Sequence, residues 1–203
     1  MTIPDYITHY YLADRQPFLS LSELNLEKDN SIFDELLNRH KIDPSYHRRY
    51  GKNYIDTRKK IENILRYYFI KRGGKPTRKY PVYFVLGEST WFKYLNQNHS
   101  EIKIPIKKLN PATVSFTFPD SYIALSSNTK PYHGKVFLLN DLENVVAKYG
   151  LPIDDTPLNY DSYWLGDFEK YIEFQVWENE IIQPFIDLFF EKRKQARPSL
   201  LSE

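Results

Sequence analysis

Along residues 170–177 the chain alternates between two kinds of side chain: Ile172, Phe174 and Val176 fall on one parity, and Tyr171, Glu173, Gln175 and Trp177 on the other. Neighbouring side chains of an extended chain point to opposite faces. The pattern therefore predicts a β-strand with one dry face and one face of polar and aromatic groups. Residues 113–118 repeat it, with Val114, Phe116 and Phe118 alternating with Thr113, Ser115 and Thr117, and predict a second strand of the same kind. Asp-Tyr-Ile-Thr-His-Tyr-Tyr-Leu at 5–12 is rich in β-formers and predicts the first strand, while apolar runs at 80–86, 101–106 and 135–139 predict three more.

A helical period takes over between 53 and 72. Tyr54, Ile61, Leu65 and Tyr68 share one stripe, with Ile64 and Phe69 beside it, and this stripe is expected to face the core. Asn53 is the expected N-cap, Asp56 a first-turn acid and Gly73-Gly74 the left-handed stop. Shorter helices are predicted from Asp29, Asn30 or Ser31 through His40, from Ser89 to Leu95, and from an Asn140 cap to Gly150; Pro44 blocks extension of the first. A last helix starts near Pro184, with Phe185, Leu188 and Phe189 turned inward, and residues 151–168 read as a Pro-, Asp- and Tyr-rich loop. The regular strand-helix-strand rhythm of a doubly wound sheet is missing. The expected fold is therefore α+β: one mixed domain over 1–190 with a mostly antiparallel sheet and a long basic helix, then a flexible basic tail at 191–203.

Charge changes this picture. Residues 47–79 hold twelve Lys or Arg against only Asp56 and Glu62, a local excess of ten positive charges in a chain of net charge +2, which leaves the remainder at −8. Clustered cations attract phosphates whatever the total charge. Lys52, Lys59 and Arg66 recur every seven residues on the helix side opposite the apolar stripe, about 10 Å apart from the helical rise. With Lys71, Arg72, Lys75 and Arg78 they are the candidates for contacts to DNA or RNA, with Tyr50, Tyr54 or Tyr67 stacking on bases. The alternative is a solvated basic face that pairs with the acidic remainder, including across a homo-oligomer contact.

The 203 residues are 41% hydrophobic, enough for a sizeable core, and contain no Cys, which excludes disulfides, thiolate metal sites and cysteine nucleophiles. No stretch reads as a signal peptide or membrane span, so a cytoplasmic protein without membrane contact is expected. His9, His40, His47, His99 and His133 are too scattered to suggest a metal site. There is no phosphate-binding glycine loop, and Gly87-Glu88-Ser89-Thr90-Trp91 lacks the second glycine of a nucleophile elbow.

Glu173 stands out among the carboxylates because Tyr171, Gln175 and Trp177 share its face of the strand. In a cleft, such a glutamate accepts a hydrogen bond from a sugar hydroxyl while a ring stacks on a planar ligand; on an open strand the same residues simply meet solvent. Ile7-Thr8-His9 together with Tyr171-Ile172-Glu173-Phe174-Gln175-Val176 resembles the opening strand and glutamate strand of the small ADP-ribosyltransferases, in particular the nucleic-acid-modifying DarT type. The resemblance implies NAD as the ADP-ribose donor, with Glu173 polarising the ribose hydroxyl as the glycosidic bond breaks. It further implies that His9 seats the nicotinamide ribose, that Tyr10, Tyr11 and Tyr171 form an aromatic nicotinamide pocket, and that Arg15 holds a phosphate of NAD or of the acceptor. His9 as a hydrogen-bonded strand residue and Arg15 as a salt-bridge partner are the alternatives. Protein-modifying members of the wider family carry Glu or Gln where this chain has Tyr171. A non-catalytic module that binds nucleic acid or protein is the competing reading of the whole chain.

Overall fold

A computed structural model describes residues 2–24, 30–51, 53–154 and 169–195. The architecture is α+β, built on a six-stranded sheet in the order β3-β1-β2-β6-β4-β5, with every pairing antiparallel. The strands are β1 (Tyr6–Leu12), β2 (Val82–Leu86), β3 (His99–Pro105), β4 (Val114–Thr117), β5 (Phe137–Leu138) and β6 (Glu173–Val176). The helices are α1 (Asn30–Ile42), α2 (Tyr54–Lys71), α3 (Thr90–Leu95), α4 (Ser121–Ser126), α5 (Leu142–Tyr149) and α6 (Gln183–Gln195). Among the described residues no helix is long and apolar enough to cross a membrane.

The two alternating segments become the interior strands β4 and β6, paired in the register Val114↔Val176, Ser115↔Gln175, Phe116↔Phe174 and Thr117↔Glu173. Their apolar parity faces the main core, where Phe116 stacks on Phe174 at 5.3 Å and Ile7, Phe84, Ile104 and Ile182 close around them. The polar parity is covered as well. Helix α2 lies over it, with Leu65 and Phe69 packed on Trp177, and Phe69 stacked on the indole at 5.9 Å. Beneath the helix runs a buried chain of hydrogen bonds in which Trp177 Nε1 donates to Ser115 Oγ, Ser115 Oγ to Gln175 Oε1, and Gln175 Nε2 to Thr117 Oγ1 and to Glu173 Oε1. Each bond satisfies a group that would otherwise be stranded out of water.

Several expectations need correction. The core stripe of α2 is Glu62, Leu65 and Phe69, while Ile64 and Tyr68 are exposed; the helix is rotated so that an acid, not Tyr68, enters the interior. Asn53 makes no side-chain cap bond. The helix does end at the glycines: Gly73 has φ +93°, Gly74 N donates back to Phe69 O, and a Cβ on Gly74 would run into the Phe69 ring. In α6, Phe185 and Ile186 pack on the core whereas Leu188 is exposed. The helix continues through Gln195, so the first part of the expected tail is ordered as helix and residues 196–203 lie outside the described residues.

Candidate functional site

A cavity of about 1010 Å³ opens between the N-terminal end of α2 and the sheet. It brings together residues far apart in sequence: His9 and Tyr10 from β1, Arg15 and Phe18 from the turn after it, Arg48, Arg49 and Tyr50 ahead of α2, Tyr54 and Arg58 in its first turns, the start of α4, and Tyr171 and Glu173 at the entry to β6. The segment ahead of α2 is held in place by a bridge between Tyr46 and Asn96 and by His47 N donating to Leu95 O at 2.8 Å.

Glu173 is a buried carboxylate of this wall, only 9% exposed. Its Oε1 accepts from Ser121 N at 3.1 Å and from Gln175 Nε2 at 3.2 Å. Burial pushes its carboxyl above the ordinary glutamate value, and the Ser121 and Gln175 bonds, with the Arg58 charge, partly offset that rise. Beside it, Asp120 caps α4 through Oδ1, which accepts from Tyr122 N at 2.9 Å and Ile123 N at 3.1 Å. Burial and the neighbouring Glu173 charge push the Asp120 carboxyl up to about 7. Two buried carboxyls on one cavity wall, both raised by burial, are an arrangement suited to acid-base or sugar-hydroxyl chemistry.

One side of the cavity is aromatic. Tyr10 stacks on Phe92 at 5.5 Å, Tyr171 meets Phe92 edge-on at 5.0 Å, and the Tyr10 hydroxyl accepts from Ser89 N at 3.0 Å. The other side is basic: Arg48 lies over the Tyr50 ring, and Arg48 Nη2 and Arg58 Nη1 both donate to the Tyr54 hydroxyl, at 3.3 and 2.9 Å. Burial works against ionisation of that hydroxyl, but the two guanidinium charges outweigh it and hold Tyr54 below the usual tyrosine value.

Of the residues singled out from sequence, Glu173, His9, Tyr10, Tyr171 and Arg15 all line this one cavity. Two of them are engaged elsewhere. His9 Nδ1 bonds Tyr83 O at 2.8 Å and His9 Nε2 accepts from Phe18 N at 3.0 Å, so both ring nitrogens are used to tie β1 to β2 and to the following turn. Burial lowers its pKa to about 4, so the ring is neutral and offers the cavity a face rather than a donor. Arg15 is ion-paired with Glu35 of α1, the alternative role considered for it.

The expected phosphate row does not reach the cavity. Lys59, Arg66, Lys71, Arg72, Lys75 and Arg78 are all absent from its walls, and Lys52 lies outside the described residues. Arg72 donates to Val136 O and pairs with Asp141 at 3.1 Å. Arg78 is 9% exposed and pairs with Glu23 at 2.7 Å, so these two cations serve the fold. Lys71 and Lys75 are exposed, and Lys59 and Arg66 half-buried. Among the described residues, the cations that line the cavity besides Arg15 are Arg48, Arg49 and Arg58. Sequence pattern alone does not select them or Asp120 as site residues. One signal is present: Glu62 stands on the stripe 62, 65, 69, and an acid at a core position four residues after Arg58 marks a buried pair.

The chain matches no family model, no curated protein and no solved structure.

Proposed function

We propose that the protein is an NAD-dependent ADP-ribosyltransferase of the cytoplasm, acting on nucleic acid or protein. The reading is carried by Glu173, a buried carboxylate on the wall of a cavity of about 1010 Å³ whose other walls are aromatic and basic. That volume lies at the upper end of the roughly 300–1,000 Å³ common for small-molecule sites, which suits a ligand of dinucleotide size. As substrate, NAD supplies a glycosidic bond that breaks with its electron pair leaving on nicotinamide, while the acceptor atom bonds the ribose carbon and gives up its proton. Glu173, its Oε1 fixed by Ser121 and Gln175, would hold the ribose hydroxyl and offset positive charge developing on the sugar. Tyr10 and Tyr171 would stack on the planar base. Arg48 and Arg58 would face the diphosphate, the task the resemblance gave to Arg15.

The test is incubation of the full chain with labelled NAD and mixed DNA, RNA and protein acceptors, alongside calorimetric titration with NAD. Label transfer by the wild type, abolished in Glu173→Gln with NAD binding retained, is the expected result. Absence of NAD binding overturns the reading.

A second reading is favoured by one observation: Lys71 and Lys75 are exposed at the C-terminal end of α2, and Tyr67 on the same helix is 61% exposed. Exposed cations beside an open ring suit single-stranded nucleic acid. In that reading the protein binds DNA or RNA without modifying it.

A further inference from the structure

Asp120 has a carboxyl oxygen for which the described residues supply no partner. While Oδ1 accepts from Tyr122 N and Ile123 N in the first turn of α4, Oδ2 is buried and makes no hydrogen bond. The residue is 7% exposed and forms part of the cavity wall next to Glu173. A buried oxygen without a bond forfeits its hydration and receives nothing in return. Its neighbours do not relieve it. From β6 it meets the Glu173 carboxyl, and Tyr171 just ahead of β6 is also an oxygen acid; Arg58 of α2 acts on Glu173, and Arg48 on Tyr171.

We propose that Asp120 and Glu173 form a sugar-hydroxyl site, in which Asp120 Oδ2 hydrogen-bonds one hydroxyl of a ribosyl group in the cavity and Glu173 engages the adjacent one. The inference rests on the cavity being the site of a ribose-bearing substrate, and adds the group that reads the sugar. A vicinal diol offers two donor-acceptor oxygens side by side, and the two carboxyls offer a matching pair. Burial and the Glu173 charge push the Asp120 carboxyl up to about 7, so it donates a hydrogen bond when protonated and accepts one when ionised, and a diol hydroxyl, itself both donor and acceptor, satisfies either form. Asp120 is here a substrate-binding residue, and no bond is made or broken at it.

Titration of the full chain with NAD, ADP-ribose, ribose 5-phosphate and 2-deoxyribose 5-phosphate tests this. Asp120→Ser keeps an oxygen to cap α4 and removes the one without a partner; Asp120→Gly, also tolerated at a cap, serves if the serine variant folds poorly. The expected result is a loss of about tenfold in affinity for the ribosides with the melting temperature retained, the worth of one good hydrogen bond. The wild type should prefer ribose 5-phosphate to its deoxy analogue, and the variant should lose part of that preference. Unchanged riboside affinity in both variants overturns the proposal. Binding of ribose 5-phosphate but not NAD, weakened by either variant, removes the transferase reading and leaves the sugar site standing. If no riboside binds the wild type, both fall.

Discussion

Arg58 Nε lies 2.9 Å from Glu62 Oε1, one turn along α2, and the glutamate of this ion pair is completely buried. Tyr83 closes the arrangement from β2, donating to the same oxygen at 3.0 Å while the guanidinium sits 4.5 Å over its ring. The pair therefore joins the basic helix to the sheet at the edge of the cavity, and Arg58 faces both ways.

Removing one partner leaves the other charge stranded. Arg58→Ala should lower stability by about 3–5 kcal/mol, because Glu62 would remain buried without its counter-charge. The double variant Arg58→Met, Glu62→Leu, which fills the space with apolar groups, should recover most of that loss. Urea denaturation midpoints compare the three proteins. A double variant no more stable than Arg58→Ala would show that the loss comes from the Arg58 contacts to Tyr54 and Tyr83 rather than from a stranded Glu62 charge.

His9 gives stability a dependence on acid. Its folded pKa, about 4 against the ordinary 6.5, is lowered by burial. The unfolded chain takes up a proton below 6.5 that the folded chain refuses, so the stability contributed by neutral His9 is fully present above 6.5 and is lost as pH falls toward about 4. The wild type should exceed His9→Gln in stability at neutral pH, and the gap should narrow by a few kcal/mol on acidification, at about 1.4 kcal/mol per pH interval of one. Denaturation midpoints of both proteins in neutral and acidic buffer measure the gap; a constant gap rules out the neutral strut between Tyr83 and Phe18.

Asp120 acts with the opposite sign. Its folded pKa of about 7 stands above the ordinary 3.8, from burial and then the charge of Glu173. The folded state binds the proton more tightly, so the associated stability is full below 3.8 and is lost as pH rises to about 7. Relative to Asp120→Asn, the wild type should lose ground steadily from acidic to mildly alkaline buffer. In the wild type this slope and that of His9 cancel in part between 4 and 6.5, so only the difference between wild type and variant exposes it. A difference that does not change with pH would mean that Asp120 keeps the ordinary carboxyl value in the folded state.

The strands and most helices were legible because alternation and helical period are local properties. Val114, Phe116, Ile172 and Phe174 announce their dry face without reference to anything distant. What covers the opposite face is not local. Alternation shows that Glu173 and Gln175 point away from the main core, but only the long-range packing of Phe69 on Trp177 buries that side. The same limit hid Asp120. It stands next to Glu173 because Thr117 pairs with Glu173 across β4 and β6, a register that no local pattern encodes. Arg78 read as a phosphate contact in sequence for a similar reason, since its partner Glu23 comes from another part of the chain.

The two kinds of cation around α2 should separate by mutation. Lys71 and Lys75 are exposed, whereas Arg78 is 9% exposed and held by Glu23. Replacing both lysines with Glu should weaken DNA or RNA binding at low salt and flatten its salt dependence, by about 0.7 to 0.9 in logarithmic slope for each phosphate no longer neutralised, with no change in melting temperature. Arg78→Glu should instead lower the melting temperature, because it sets an acid against Glu23 and breaks the bond to Tyr80 O. Filter binding over a salt series, paired with thermal denaturation, distinguishes them. If the lysine variant binds with wild-type affinity and slope, the outer face of α2 is not where an acceptor strand lies, and the basic cavity mouth at Arg48 and Arg49 becomes the surface to mutate next.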